Sequence, residues 1–306
     1  MQSSNLFKPY AALVIGALSV STSAILVKWV HAPAAVTAFY RLFFTVLFMT
    51  PFFAPYFREL PKISKRDWLF SSISGILLAF HFILWFESLN YTSVTSSVVL
   101  VTLQPLFAFI GGYLFFKEKL TIGAFFSGLL AVVGSMIISW GDFRVSGKAL
   151  FGDVLALLAC VMVTGYWLFG QDLRKRLSLM AYTYVVYGVS SITLLIYALC
   201  FRYPLLSYSK TDWFCFVALA IVPTLLGHSL MNWSVKWVSA ATISMSILFE
   251  PVGAAILAYF LLGEMIQPSQ WLGGILILIG IGTYLWSENR KKALLMQESG
   301  RTDFSN

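Results

Sequence analysis

From Tyr10 to Trp286 the chain is a succession of apolar runs of about 20 residues, parted by short polar breaks. A helix rises about 1.5 Å per residue, so about 20 apolar residues cross the roughly 30 Å hydrocarbon core of a bilayer. Reading by that rule gives ten candidate helices, at 10–30, 34–54, 68–88, 94–116, 121–140, 150–170, 179–201, 213–235, 240–262 and 268–287. Water is excluded as the solvent for such a chain. Hydrophobic residues make up 59% of it and charged residues 11%, where soluble domains carry about a quarter charged. The first run is long for a signal-peptide core and equivalent runs follow it, so it reads as the first span. The fold class expected is all-α, a membrane protein of ten transmembrane helices. Trp29, Trp68, Trp140, Trp213, Trp237, Trp271 and Trp286 fall at or near predicted helix ends, where an amphipathic ring prefers the interface.

The net charge of +8 forms no single basic patch, so it does not point to nucleic acid; the cations lie in short clusters between the runs. Ten spans put both termini on one side. That side carries Lys8, Arg58, Lys62, Lys65, Arg66, Lys117, Lys119, Arg174, Lys175, Arg176, Lys236, Arg290, Lys291, Lys292 and Arg301. The other side has only Lys28, Arg144, Lys148, Arg202 and Lys210. The positive-inside rule then makes both termini cytoplasmic in the plasma membrane. Cys160, Cys200 and Cys215 form no CxxC pair and read as small buried hydrophobes rather than a disulfide or metal set. The tail after about residue 288 reads as a basic, loosely ordered extension suited to an anionic inner leaflet.

Two of the runs are copies. "TLQPLFAFIGGYLFFKE" (102–118) and "LFEPVGAAILAYFLLGE" (248–264) share a proline, an alanine, an isoleucine, a tyrosine and the closing glutamate at the same spacing. The same offset of 146 pairs Gly128 with Gly274, Gly134 with Gly280 and Trp140 with Trp286; a one-residue shift pairs His81 with His228. The chain is therefore read as two five-helix repeats, 1–143 and 144–288, with a tail at 289–306. Five is odd, so the second repeat is expected inverted relative to the first. "KEK" (117–119) against "GEM" (263–265) fits this: both lysines are gone on the side predicted external. Inverted repeats recur in secondary transporters.

Two five-helix repeats with the "P…Y…E" ending of spans four and nine resemble the EamA-type family of the drug/metabolite transporter superfamily. The resemblance implies a secondary transporter working by alternating access around a cavity between the repeats. It further implies export of small metabolites such as amino acids across the cytoplasmic membrane. A cation or multidrug extruder is the alternative. A membrane enzyme acting on lipid is disfavoured, since HExxH, GxSxG and a dense polar face are missing, and no GxxxxGK[ST] motif points to ATP. Neither catalytic residues, metal nor cofactor are expected. The partners expected are a small-molecule substrate, a proton as candidate co-substrate and membrane lipids; the sequence leaves the oligomeric state open.

The candidate cavity residues are Gln104, Pro105, Glu250, Pro251, His81, His228, Arg41, Trp85, Asn232 and Tyr40. Pro105 and Pro251 are each twelfth in their spans, near midplane, where each frees a backbone carbonyl; matched kinks would either bracket a cavity or merely shape packing. Glu250 costs about 2.5–3.5 kcal/mol to insert there. Three roles are open to it: ligand for a substrate amine, proton carrier, or partner for Arg41. Gln104 is its uncharged counterpart. Arg41 stays charged and either anchors helix ends or binds a substrate carboxylate. His81 and His228 have Trp85 and Asn232 four positions on, on the same helix face. Tyr40, Trp85, Tyr113, Tyr166, Trp167, Trp233 and Tyr259 lie within spans and would suit aromatic or cationic substrates. The glycines of spans five and ten read as close helix contacts, and Glu118 and Glu264 as hydrogen-bonding partners of a neighbouring helix or loop.

Overall fold

The computed structural model describes residues 7–92, 94–119, 121–139, 147–262 and 268–302. Every regular element among them is helical. In chain order these are α1 (Lys8–Lys28), α2 (Ala34–Lys62, its last turns tightening to 3₁₀), α3 (Lys65–Ser88), α4 (Val94–Val101 and Gln104–Phe116) and α5 (Ile122–Ser139). The second half supplies α6 (Gly147–Leu173), α7 (Leu179–Cys200), α8 (Lys210–Ser234), α9 (Ala240–Ile247 and Glu250–Leu262) and α10 (Pro268–Thr302). Of the expected spans, those carried by α1–α4 and α6–α9 are long and apolar enough to cross a membrane; the described apolar stretches of α5 and α10, Ile122–Ile137 and Trp271–Ser287, are shorter. The protein is an all-helical, multi-pass membrane protein. Large apolar side chains such as Phe115, Phe126, Phe260 and Trp271 project outward, as a lipid solvent allows.

Exchanging the two halves preserves the main packing pairs. Helix α3 lies on α6, and α8 on α1; α3 touches α7, and α8 touches α2; α4 touches α6, and α9 touches α1. The pairs α2–α7, α4–α9 and α5–α10 map onto themselves. A continuous core of Leu42, Phe82, Phe86, Trp167, Tyr182, Tyr187 and Phe216 joins α2, α3, α6, α7 and α8. Helices α5 and α10 stand outside that core and pack on each other and on α4 and α9, through Val99, Ala131, Met245 and Ile277.

The two ends of the bundle are tied by equivalent caps. "SKRD" (64–67) opens α3 and "SKTD" (209–212) opens α8. In each, the serine side chain accepts the aspartate N–H, and its hydroxyl donates to the aspartate carboxylate. Asp67 then accepts Arg176 Nε and Nη2 at 3.1 and 2.8 Å, and Arg176 also forks onto Asp172. The Asp172 and Asp67 carboxylates push the pKa of Arg176 further up. Asp212 accepts the His31 N–H at 2.8 Å, with His31 Nδ1 3.6 Å away. Asp67 and Asp212 are 145 residues apart, and so are His31 and Arg176. Helix α2 starts beside Asp212 and ends beside Asp67, so the two caps close opposite ends.

Some expectations change. The tail, expected loosely ordered, continues α10 to Thr302; its Lys-Lys-Ala-Leu-Leu-Met-Gln-Glu stretch is made of good helix formers. Cys160 and Cys215 are buried and free, but Cys200 is exposed on α7. Trp140, Arg144 and the 263–265 loop with Glu264 lie outside the described residues.

Close approach of α5 and α10 depends on glycine. A Cβ on Gly280 would stand 2.7 Å from Ala131 Cβ and 2.8 Å from the Ser127 carbonyl; one on Gly134 would stand 2.7 Å from the Gly273 carbonyl. At Gly274 the nearest atom would be an ordinary 3.7 Å away, on Val252. Gly280→Ala is therefore expected to destabilise by about 1–3 kcal/mol through overpacking, while Gly274→Ala stays within about 0.5 kcal/mol of wild type. Thermal unfolding of the purified variants in detergent measures both, and equal loss at the two sites would refute the close-contact assignment.

Candidate substrate site

The prolines do more than kink their helices. Helix α4 stops at Val101 and restarts at Gln104; α9 stops at Ile247 and restarts at Glu250. Pro105 and Pro251 thus sit at the second position of a new helix, where the missing N–H has no intrahelical role. The break leaves carbonyls of the first half free, and Gln104 Nε2 donates to one of them, Val101 O, at 3.3 Å. Gln104 and Glu250 become the first residues of the two second halves. A helix N-terminus carries partial positive charge, which suits the Glu250 carboxylate and an acceptor oxygen on Gln104.

A third irregularity lies in α8, where Ala220–His228 is π-helical. From Asp67 to His81 is 14 positions, from Asp212 to His228 is 16. The wider i→i+5 turns absorb the two extra residues and keep the histidines equivalent in space. Pro223 lies in this stretch and cannot donate to the Leu219 carbonyl. Thr224 Oγ1 donates to that carbonyl instead, at 2.8 Å, and accepts Arg41 Nε at 2.8 Å.

These three irregularities converge on a cavity of about 20 Å³, room for a single water. Its polar lining is His81, Trp85, Gln104, His228 and Glu250, with Val101, Ile247 and other aliphatic side chains between them. Within this wall Trp85 Nε1, Gln104 Oε1, His228 Nδ1 and Glu250 Oε1 are buried and lack a hydrogen-bond partner. Four such atoms on residues of one cavity wall are far from the usual state of buried polar groups. His81 is oriented by Nδ1 against the Ala159 carbonyl at 3.0 Å and stacks on Trp85; His228 stacks on Trp167 at 12° between planes.

Arg41 stands behind this wall. Its side chain is fully buried, with Nη1 on Ser23 Oγ at 2.9 Å and the guanidinium 4.2 Å over the Phe82 ring. Arg41 and Glu250 form none of the described ion pairs, which involve Arg176 and His31. Arg41 Nη2 has no partner. Five of the expected cavity residues are not in its lining: Arg41, Pro105 and Pro251, and also Tyr40 and Asn232. Tyr40 stacks on Phe216, and its hydroxyl donates to Leu205 O at the periphery. Asn232 faces away from the cavity, donating to the Tyr166 and Tyr187 hydroxyls. Tyr113 and Tyr259 are exposed toward lipid. The sequence reading passed over the α1 residue that the cavity includes, Val20, because an aliphatic residue in an apolar run carries no signal. Glu118 meets its expected kind of partner: Gln171 Nε2 donates to it at 2.7 Å, while Gln171 Oε1 accepts the Ala240 N–H that opens α9. Among the described residues no cluster of three His, Cys, Asp or Glu could hold a metal.

The profile of the EamA-like transporter family matches residues 7–140 and again 150–286. An uncharacterized transporter of Archaeoglobus fulgidus is 24% identical over 89% of this chain and 94% of its own. The uncharacterized transporter YxxF of Bacillus subtilis is 26% identical over 73% and 72%. A protein of Fusobacterium nucleatum called riboflavin transporter ImpX is 24% identical over 73% and 78%. A crystal structure titled only as that of a protein superposes with a TM-score of 0.75 at 18% identity, covering 95% of this chain and 99% of that one; this likeness concerns the fold alone.

The polar groups divide by partner. Thr224→Val removes the bridge between Leu219 O and Arg41 Nε and is expected to cost about 1–3 kcal/mol. Glu250→Gln, whose Oε1 has no internal partner, is expected to leave stability within about 1 kcal/mol of wild type or raise it. Unfolding curves in detergent distinguish them; a large loss for Glu250→Gln would make that carboxylate structural.

Proposed function

Since the chain belongs to the EamA-like transporter family, we propose that it is a secondary exporter of a small amine-bearing metabolite, such as an amino acid, working by alternating access. Family and relatives indicate a membrane transporter rather than an enzyme. The observation that carries the finer reading is the pair of broken helices, α4 and α9, whose restarting ends place Gln104 and Glu250 on one buried cavity with unpaired polar atoms. Discontinuous helices in corresponding positions of two repeats are how transporters build a midplane site. Glu250 and Gln104 offer acceptors for an ammonium group; Trp85 and His228 offer donors for the opposite end of a zwitterion.

In this reading ten helices span the plasma membrane as inverted repeats with both termini inside. Packing that survives exchange of the halves supports it, as does the distribution of lysine and arginine. The two caps become the closures of the pathway: Asp67–Arg176–Asp172 at the cytoplasmic end, Asp212–His31 at the external end. Both are made here and the cavity admits one water, which fits an occluded state in this reading. A second reading, a planar heteroaromatic substrate, is favoured by Trp85 stacked on His81 and Trp167 stacked on His228, and one relative is called a riboflavin transporter.

The test compares external metabolites from cells producing wild type, Glu250→Gln or neither. Amino acids are expected outside with wild type, at least about tenfold less with Glu250→Gln, since a charge-assisted hydrogen bond contributes about 1.5–3 kcal/mol. Equal export by both at equal abundance removes Glu250 from substrate binding. Accumulation of flavin-like compounds instead moves the second reading ahead.

The closures have their own test. A single cysteine at Val101→Cys, in protein lacking the three native cysteines, reports access to the cavity wall. Asp212→Asn is expected to raise labelling by an impermeant reagent from outside at least about fivefold, and Asp67→Asn to lower it, each closure biasing the equilibrium by about 1 kcal/mol or more. Identical labelling in all three proteins would remove the closure role.

A further inference from the structure

At the end closed by Asp67, a lateral groove of about 530 Å³ opens between α3, the second half of α4 and α6. Its wall is aromatic and aliphatic, with Phe70, Phe115, Phe116, Leu168 and Phe169. Its rim is cationic. The Arg66 guanidinium lies 5.1 Å over the Phe70 ring and Lys175 Nζ 5.3 Å over the Phe116 ring. Both cations are exposed, and neither belongs to a described ion pair. Asp172 also lines the groove, but both its oxygens are taken by Arg176 at 3.0 and 2.7 Å. The rim therefore presents two positive charges outside the described ion pairs above an apolar slot, with the Asp172 carboxylate near enough to attract both.

A second lateral groove gives the contrast. It lies between α1, α9 and α10, measures about 340 Å³ and is lined by Leu13, Leu18, Phe249 and Leu278 among others, with no charged residue. Any acyl chain suits that one. Only the first groove pairs an apolar slot with an anion-binding rim, and the orientation proposed above sets that rim in the anionic inner leaflet.

We propose that the groove between α3, α4 and α6 is a binding site for one anionic phospholipid, its acyl chain against Phe115, Phe116 and Phe169 and its phosphate between Arg66 and Lys175. The aromatic rings fix the two cations by cation–π contact, so the rim is preorganised for a phosphate. The lipid would lie against the helix half that begins at Gln104. Headgroup binding is thereby connected to the wall of the substrate cavity through one rigid segment, residues 104–116.

The experiment uses delipidated full-length protein in detergent. Thermal stability is followed on adding phosphatidylglycerol, phosphatidylcholine with the same chains, or glycerol phosphate. Phosphatidylglycerol is expected to raise the unfolding temperature well beyond phosphatidylcholine, and glycerol phosphate to do little. In the Arg66→Gln/Lys175→Gln variant its affinity is expected to fall about 30-fold, roughly fivefold per cation. Arg58→Gln/Lys62→Gln, which removes two cations from the same end outside the groove, is expected to respond as wild type does. Equal effects of the two lipids would reduce the site to an acyl slot, and an equal effect of glycerol phosphate would remove the groove from it; either overturns the proposal. So does an unchanged response in Arg66→Gln/Lys175→Gln. Should that variant fail to fold, native mass spectrometry of the wild type decides: preferential retention of one phosphatidylglycerol supports the site, and no preference over phosphatidylcholine overturns it.

Discussion

Inside hydrocarbon a backbone N–H or C=O has no water to turn to, so a helix can be interrupted only where the protein itself covers and satisfies the interruption. Around its cavity this chain interrupts its helices at three places among the described residues, at 102–103, at 248–249 and along the π stretch 220–228. All three are covered by the central packing of α1, α3, α6 and α8. The local repairs are specific. Gln104 Nε2 takes the Val101 carbonyl, and Thr224 takes the Leu219 carbonyl that Pro223 leaves free. What is left over after repair is the polar chemistry of the cavity. Gln104 has spent its amide nitrogen on the backbone and keeps its oxygen unpaired; Thr224 has spent its hydroxyl on the backbone and on Arg41, so that Arg41 is fixed behind the wall rather than in it.

Duplication supplies the same interruption twice, but the residues at the two copies differ. Gln104 stands where the second half has Glu250, and Trp85 where it has Asn232. The second difference removes a side chain from the cavity: Asn232 is held by two tyrosine hydroxyls and serves the packing of α6, α7 and α8. The closing ends differ too. Arg176 grips Asp67 and Asp172 with three of its nitrogens, whereas Asp212 holds a backbone N–H and an imidazole that is 84% exposed. A guanidinium is charged at every relevant pH, a histidine only when protonated. One end of the molecule thus has a guanidinium clasp held by two carboxylates, the other a single carboxylate holding a backbone N–H.

Much of this was legible because it is written in residue type and spacing. Apolar runs of membrane length, the Pro-Tyr-Glu repeat and the carboxylate at Glu250 need no tertiary information, and the breaks fall beside the two prolines that marked them. The one-residue change of offset at His81 and His228 was the visible trace of the π stretch, though it could not be read as such, since an insertion can also lie in a loop. Asn232 and Tyr40 show the limit. A side chain's helix face follows from sequence, but which neighbour meets that face does not, and two tyrosine hydroxyls and a backbone carbonyl took them. The "SKRD" and "SKTD" caps came to light only in the structure, and their partners at Arg176 and His31 lie far away in sequence.

On the proposed function a metabolite cannot occupy a space that holds one water, so the cavity would have to enlarge by separating elements that now touch. The contacts say which. Helices α5 and α10 are locked by backbone-to-backbone approach at Gly134 and Gly280, and α2, α3, α6, α7 and α8 share one continuous aromatic core. Neither group parts along its length without losing that packing, although the Asp67 and Asp212 contacts at the ends of the bundle can release. The second halves of α4 and α9 are different: each begins at a break, and their outer faces carry exposed apolar residues such as Phe115 and Phe260. On the proposed mechanism the breaks are the places where a half-helix can tilt while its first half stays in the core. Gln104 and Glu250 stand at those pivots, so the groups that would hold the substrate move least while the pathway opens.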